Sequence, residues 1–529
     1  MRLLFCATKM NDSDIVTNPF LWADVPDPDV IRVGHTYYMT STTMHFTPGC
    51  PVMKSKDLVN WQIVNYVYDV LDDGDNMILQ NGRHDYGRGS WASSLRYHGG
   101  IFYVAFAAYN TGKTYIFQTR DIENGTWERH SFDGIYHDMS ILFDDDGRVY
   151  MAYGGGGIKI VELASDVAGI KPGGLAKTII ENADISGGNS LAEGSHIHKL
   201  NGMYYIFVIV WPSTGTGRRL QVCYRSDKLE GPYEGRIVLD DDMGFQNAGV
   251  AQGGIIDTPC GNWYAMLFQD HGAVGRVPVL VPVSWKDGWP LFGENGKAPK
   301  EIRLPIKVRR TEGIVGSDEF DEKVLALWWQ WNHNPYNENW SLAARPGWLR
   351  LTAGGICNSL TDARNTLTQR TFGPACSGSV LLDAGNMQDG DFAGLAALQA
   401  KYAFVGVKML NGKKYITMSA ARDADKRVYR TGIPETEIEF VPLEQNTVYL
   451  RIDFDFADSI DEARFYYSLC GKIWIAIGGK LEMSYRLSHF TGYRFALFNY
   501  ATKTAGGYVD FDWFRIGAFP VTPPCQSHA

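Results

Sequence analysis

What this chain lacks narrows its class before any motif is considered. No stretch approaches the roughly 20 consecutive apolar residues of a membrane-spanning helix, so no helical span is expected. The eight cysteines, Cys6, Cys50, Cys223 and Cys260 among them, form no Cys-x-x-Cys pair and no framework spacing, which points to free thiols rather than disulfides or a zinc site. Basic residues are outnumbered, and a net charge of −9 leaves no positive field for nucleic acid and no polybasic patch for a membrane surface. The opening Met1-Arg2-Leu3-Leu4-Phe5-Cys6 is too short for a signal-peptide apolar core. A soluble protein is expected, cytoplasmic, or secreted if an export signal has been removed. No convincing amphipathic helix can be found either, so the chain reads as all-β.

What is present is aromatic and repetitive. The 15 Trp and 28 Tyr suit β-structure, and also suit flat faces for stacking on sugar rings. A turn of the form Gly-x-x-Tyr occurs at Gly34–Tyr37, Gly100–Tyr103, Gly147–Tyr150, Gly202–Tyr205 and Gly261–Tyr264. Its glycines are separated by 66, 47, 55 and 59 residues. Such self-similarity in a β-rich chain implies a propeller, and five repeats imply five blades. Nine residues before the turn glycine stand Trp91, Asp138, Glu193 and Gln252, and Asp27 stands seven before Gly34. In a propeller the first strand of each blade lies against the axis, so these heads should converge at one end of the central channel. Three of the five are carboxylates. Gathering like charges costs free energy, and burial raises carboxylate pKa values, so Asp27, Asp138 and Glu193 read as a catalytic set. Asp29 is a rival to Asp27, but alternation along the strand points it to the other face.

The propeller is expected over residues 17–305, followed by a charged linker at 306–316. A second all-β block, 317–519, contains Val448-Tyr449-Leu450-Arg451-Ile452-Asp453-Phe454-Asp455-Phe456, with Leu450, Ile452, Phe454 and Phe456 on one face. It reads as a two-sheet sandwich. The Asp144-Asp145-Asp146-Gly147 tip could suggest calcium but is more simply a solvated turn. The run from Trp328 to Pro335, with Trp340, is either a carbohydrate platform or a packing cluster, the second being the plainer reading.

Several of these pieces together resemble glycoside hydrolase family 43. They are Pro26-Asp27-Pro28, Trp91-Ala92, Asp138 in its His-Asp-x-Ser context, Glu193-Gly194, Gly275-Arg276 and Asp287-Gly288-Trp289-Pro290. The C-terminal block resembles the concanavalin-like (jelly-roll) sandwich that follows the propeller in the β-xylosidase and α-L-arabinofuranosidase branches. The resemblance implies an inverting, exo-acting hydrolase that removes xylose or arabinofuranose from pentose-containing oligosaccharides such as arabinoxylan. Asp27 would be the general base, Glu193 the general acid, and Asp138 the residue that keeps Glu193 protonated and oriented.

The same resemblance makes Arg276 a substrate clamp, with a structural salt bridge as the bland alternative. Trp91 is either a stacking platform or a core residue, and Phe46 either lines the pocket or fills a blade core. His271 either approaches the axis, where it could bind an ion or water, or is a satisfied loop histidine. Many family members carry a histidine on a central ion where this chain has Gln252. No organic cofactor is needed. A structural calcium in the sandwich is an expectation without assigned ligands, and oligomeric state is not legible. The competing readings are an endo-acting arabinanase and a non-catalytic sugar-binding propeller; a fructoside-cleaving relative is disfavoured by the missing Asn-Asp-Pro head.

Overall fold

A computed structural model describes residues 15–186, 188, 191–212, 215–305, 313–421 and 432–518. Among them no α-helix occurs, and the chain forms five four-stranded antiparallel sheets followed by a sandwich of an eight- and a seven-stranded sheet. The first blade comprises Asp29–Val33, Thr36–Thr40, Gly49–Ser55 and Gln62–Tyr68. The next four begin at Ser90–His98, Ser140–Phe143, Ala192–Leu200 and Ile255–Asp257, each sheet following chain order.

The repeat has a physical basis in the blades. Each turn glycine joins the first two strands of its sheet, and all five have positive φ, between 63° and 83°. Only glycine takes that conformation without a Cβ clash. The tyrosine of each turn is buried: Tyr37, Tyr103, Tyr150, Tyr205 and Tyr264 are 1–7% exposed. Removing a ring of that size from water stabilises by about 2 kcal/mol, so each repeat contributes one anchor of this kind.

The ring is closed by a short ribbon in which Ile15–Thr17 pairs with Glu301–Arg303. Asn18 reinforces the closure: its amide donates to Leu280 O (2.8 Å) and Pro299 O (2.9 Å), and its oxygen accepts from Leu280 N (3.1 Å). Of the expected linker, residues 306–312 lie outside the described residues, while Ile314 packs into the core beneath the first blade.

In the sandwich, Val448, Leu450, Ile452, Phe454 and Phe456 are all 0–2% exposed, as their alternation requires. Trp329 and Trp331 belong to that core, which decides the tryptophan run in favour of packing. The two domains also share a sheet. Phe46–Thr47, from the first blade's repeat, pairs with Gln330–Asn332 at the edge of the eight-stranded sheet. Further bonds cross the junction, among them Arg370 Nε to Asp24 O (2.8 Å), Tyr86 hydroxyl to Thr361 O (2.9 Å) and Tyr493 N to Ala273 O (2.9 Å).

Candidate active site

The blade heads converge through unusual backbone. Asp27, Asp138 and Gln252 have φ of 53°, 47° and 60°, a left-handed region that costs non-glycine residues free energy and tends to persist at working sites. At the fourth head the ladder slips between Glu193 and His196, with Gly194 taking the positive φ (69°) instead. These turns send the side chains of Asp27, Asp138 and Glu193 to one end of the channel.

Asp27 is almost wholly buried. Its Oδ1 accepts from Arg276 Nη1 at 2.7 Å and its Oδ2 from the Thr42 hydroxyl at 2.6 Å. Burial pushes its pKa above the ordinary value; Arg276 and Thr42 oppose this, and the nearby charges of Glu193 and Asp270 add to it. The Arg276 guanidinium lies between the rings of Phe268 (4.7 Å) and Phe490 (4.3 Å). Its backbone N–H is held by Asp24 Oδ1 at 2.9 Å, while Asp24 Oδ2 accepts from Gly492 N of the sandwich at 3.0 Å.

Asp138 accepts from Gly194 N at 3.1 Å through Oδ2, and its Oδ1 is buried without a hydrogen-bond partner. Burial raises its pKa; His137 opposes, and Glu193 and Asp27 push further upward. Glu193 bonds through Oε2 to His137 Nε2 at 2.8 Å, and the Tyr109 hydroxyl lies 3.0 Å from His137 Nδ1. One donor atom from each of His137, Asp138 and Glu193 lies within 4.8 Å of the others. Burial works against the imidazolium form of His137, but Asp138, Glu193 and Asp27 outweigh it and push its pKa up to about 9.

Trp91 forms part of the same wall, 4.9 Å from Tyr109, 5.6 Å from His137 and 5.1 Å from Phe490 between ring centroids. Trp91, Arg276 and the three acids are therefore gathered in one cup. Two expected lining residues are elsewhere. Phe46 is fully buried beneath the Arg494 guanidinium (3.7 Å) at the domain junction, neither on the cup wall nor in a blade core. His271 stacks on Phe245 (4.0 Å), bonds to Gln269 Oε1 (2.7 Å) and is 5% exposed, so it braces the fifth blade rather than reaching the axis.

Asp29 points the other way. It pairs with Arg96 (2.7 Å), accepts from Leu95 N (2.8 Å) and faces His196 (3.3 Å). Burial works against its ionised form, but Arg96 and His196 outweigh it and hold its pKa well below the usual carboxylate range. Arg96 also donates to Ile141 O (2.8 Å), so the chain supplies the positive charge of the channel itself. Gln252 contacts Asp138 only loosely (3.5 Å), and with Arg96 beside Asp29 this donor set does not fit a central calcium. At the acidic tip, Asp144 and Asp145 pair with Lys199, and Asp146 pairs with Arg148 (2.6 Å).

Sequence reasoning missed His137, Tyr109 and Phe490. His137 was legible as the neighbour of a blade head. Phe490 comes from the sandwich, more than 180 residues beyond the propeller, and no local pattern marks it.

Comparison with known proteins gives one answer along the chain. Residues 16–290 match the model of glycosyl hydrolases family 43, and residues 317–517 match the β-xylosidase C-terminal concanavalin A-like domain. A β-xylosidase of Formosa agariphila is 30% identical, over 94% of this chain and 89% of its own length. A non-reducing end α-L-arabinofuranosidase of Bacteroides ovatus is 31% identical over 67% of this chain and 68% of its own. Among solved structures, a bifunctional GH43-CE protein of Bacteroides eggerthii is 51% identical with a TM-score of 0.90. That match covers 96% of this chain, which spans 64% of the bifunctional protein.

Proposed function

The chain belongs to glycoside hydrolase family 43, and from that premise we propose that its cup releases terminal pentose units, β-1,4-linked xylose or α-L-arabinofuranose, from hemicellulose oligosaccharides by an inverting displacement. One observation carries the assignment of roles. The Glu193 side chain is 18% exposed, whereas Asp27 and Asp138 are 3% and 4% exposed. The carboxyl nearest the mouth suits the leaving-group oxygen, and the carboxylate at the floor suits a water attacking from the opposite face.

Asp27 removes a proton from that water as its oxygen attacks the anomeric carbon. Its raised pKa makes it a stronger base than an exposed aspartate, and Arg276 fixes its orientation. Glu193 gives a proton to the departing glycosidic oxygen. His137, bonded to Glu193, shares that proton and returns one after each turnover. Asp138 anchors the Glu193 segment through Gly194 N and, by its charge, makes loss of the shared proton harder. Trp91 offers a face to the sugar ring, and Arg276 offers donors to its hydroxyls. Phe490 narrows the mouth from the sandwich side, which favours chain ends over internal linkages.

Initial rates on nitrophenyl β-xyloside and nitrophenyl α-L-arabinofuranoside test the reading, with the product anomer followed by NMR. Inversion is expected, and Asp27→Ala or Glu193→Ala should lower turnover by roughly 10³-fold or more with little change in thermal unfolding. A retained anomer, or near-normal activity in either variant, would sink it.

A further inference from the structure

A second concavity, of about 630 Å³, lies between the connector that delivers Trp91 to the cup and the edge of the sandwich. Its volume is that of an ordinary small-ligand site. Gln80 and Asn81 of the connector form one wall, and Tyr336, Asn358, Arg364 and Asn499 of the sandwich form the other. None of these residues takes part in the chemistry described above.

Three features of this groove suit a glycan. Tyr336 is 42% exposed and lines the groove, with the Arg364 guanidinium over its ring, 5.2 Å from the centroid. Asn499 is 3% exposed; its amide donates to Leu351 O (2.9 Å) and Gly507 O (3.1 Å), but its Oδ1 has no partner. A buried acceptor left without a donor is destabilising, and a ligand hydroxyl would supply one. Arg364 is half-buried and makes no ion pair among the described residues. Its Nη2 reaches only the carbonyls of Asn334 and Pro335, each at 3.3 Å, and its Nε has no acceptor. Burial lowers its pKa, the signature of a cation lacking a counter-charge. The carboxylate that shares the groove, Asp362, is engaged by the Ser359 hydroxyl at 3.0 Å.

We infer that this groove is a second glycan-binding site, which takes a short oligosaccharide bearing a uronic acid. The sugar face lies on Tyr336, a hydroxyl donates to Asn499 Oδ1, and the uronate carboxylate meets the Arg364 fork. The inference rests on the reading of the chain as a hemicellulose-acting glycosidase and extends it. Because the groove and the cup share the 69–90 connector, a chain held here raises the effective concentration of its own ends at the cup.

Titration calorimetry on full-length Glu193→Gln protein tests this, with xylo-oligosaccharides of equal length with and without a glucuronic acid branch as probes. The branched probe should bind tighter, and adding Arg364→Gln should weaken it roughly tenfold while changing the neutral probe less than about twofold. Adding Tyr336→Ala, at an exposed position that folding tolerates, should weaken both. Equal binding of the two probes, or branched-probe binding that neither substitution alters, would overturn the site. Turnover of a nitrophenyl pentoside by the wild-type protein reads the cup alone. Turnover without groove binding sinks only this inference, and groove binding without turnover sinks only the proposed reaction.

Discussion

His137 illustrates how a single residue can set the working range of the whole site. It lies between the Tyr109 hydroxyl and Glu193, and three carboxylates hold its proton up to about pH 9. If that proton is the one passed through Glu193, the alkaline limb of kcat/KM in the wild-type protein falls near pH 9. In His137→Phe the imidazole that holds this proton is gone. The alkaline limb should then move down by a pH unit or more, while the acid limb, set by Asp27, moves little. A pH–rate profile of the variant that overlays the wild type would show that His137 only fills space. Legibility at this scale was uneven. The expected alternation does not itself part Asp27 from Asp29, since residues two apart in a strand share a face. The structure parts them because Asp27 precedes the strand in a left-handed turn (φ 53°) while Asp29 opens it. The bond between His137 and Glu193 could not be read, because it joins two blades 56 residues apart.

Among the elements, two short segments do more than their length suggests. The two-residue strand Phe46–Thr47 leaves the first blade to extend the sandwich sheet, and Gln330 Nε2 reaches back to Pro48 O at 2.7 Å. The segment carrying Phe490, itself at φ 70°, lays its ring against Arg276 and Trp91. It is tied to the propeller by the bond from Gly492 N to Asp24. Phe490→Ala should open this wall. We expect kcat/KM on a nitrophenyl pentoside to fall roughly tenfold through KM, since truncation of a buried aromatic removes several kcal/mol of packing shared between stability and binding. Activity on longer oligosaccharides should fall less. Equal losses on short and long substrates would show that the sandwich does not shape the mouth.

At the scale of the molecule, the domain junction is built around histidine. His45 of the propeller and His333 and His489 of the sandwich are all fully buried, with ring centroids 4.8 Å and 5.0 Å from His45. Tyr86 packs against all three, and the Arg494 guanidinium adds positive charge. Burial holds His45 well below the ordinary histidine value, and the neighbouring His333, His489, Arg494 and His84 add to the effect. His333 is likewise depressed, and His489 falls to about 3. A folded-state pKa below the unfolded one means that the unfolded chain binds more protons. The stability from these neutral rings is therefore complete above about pH 6.5 and is lost as pH falls below it. Asp391 and Asp461, raised by burial to about 6, act in the opposite sense and remain unchanged in a histidine variant. His45→Phe removes one titrating group. Denaturant unfolding should show it losing about 2 kcal/mol less than the wild type between pH 7 and pH 5. Equal losses would mean that His45 does not couple the junction to pH.

The propeller, its five blades and the three acids at their heads were determined by the sequence itself. The repeated turn needs glycine at positive φ, and a tyrosine in the same place each time, so the pattern is local and recurs. The alternation at Val448–Phe456 marked the second domain for the same reason, since a period of two is written in consecutive residues. What only the tertiary structure decided was how the two domains meet. It put Phe46 under Arg494 instead of in the cup, brought Phe490 to Arg276, and turned His271 onto Phe245. The first two contacts join residues hundreds of positions apart, and their free energy comes from desolvation and packing in a junction that exists only once both domains have formed; the third lies within the propeller, between residues 26 positions apart.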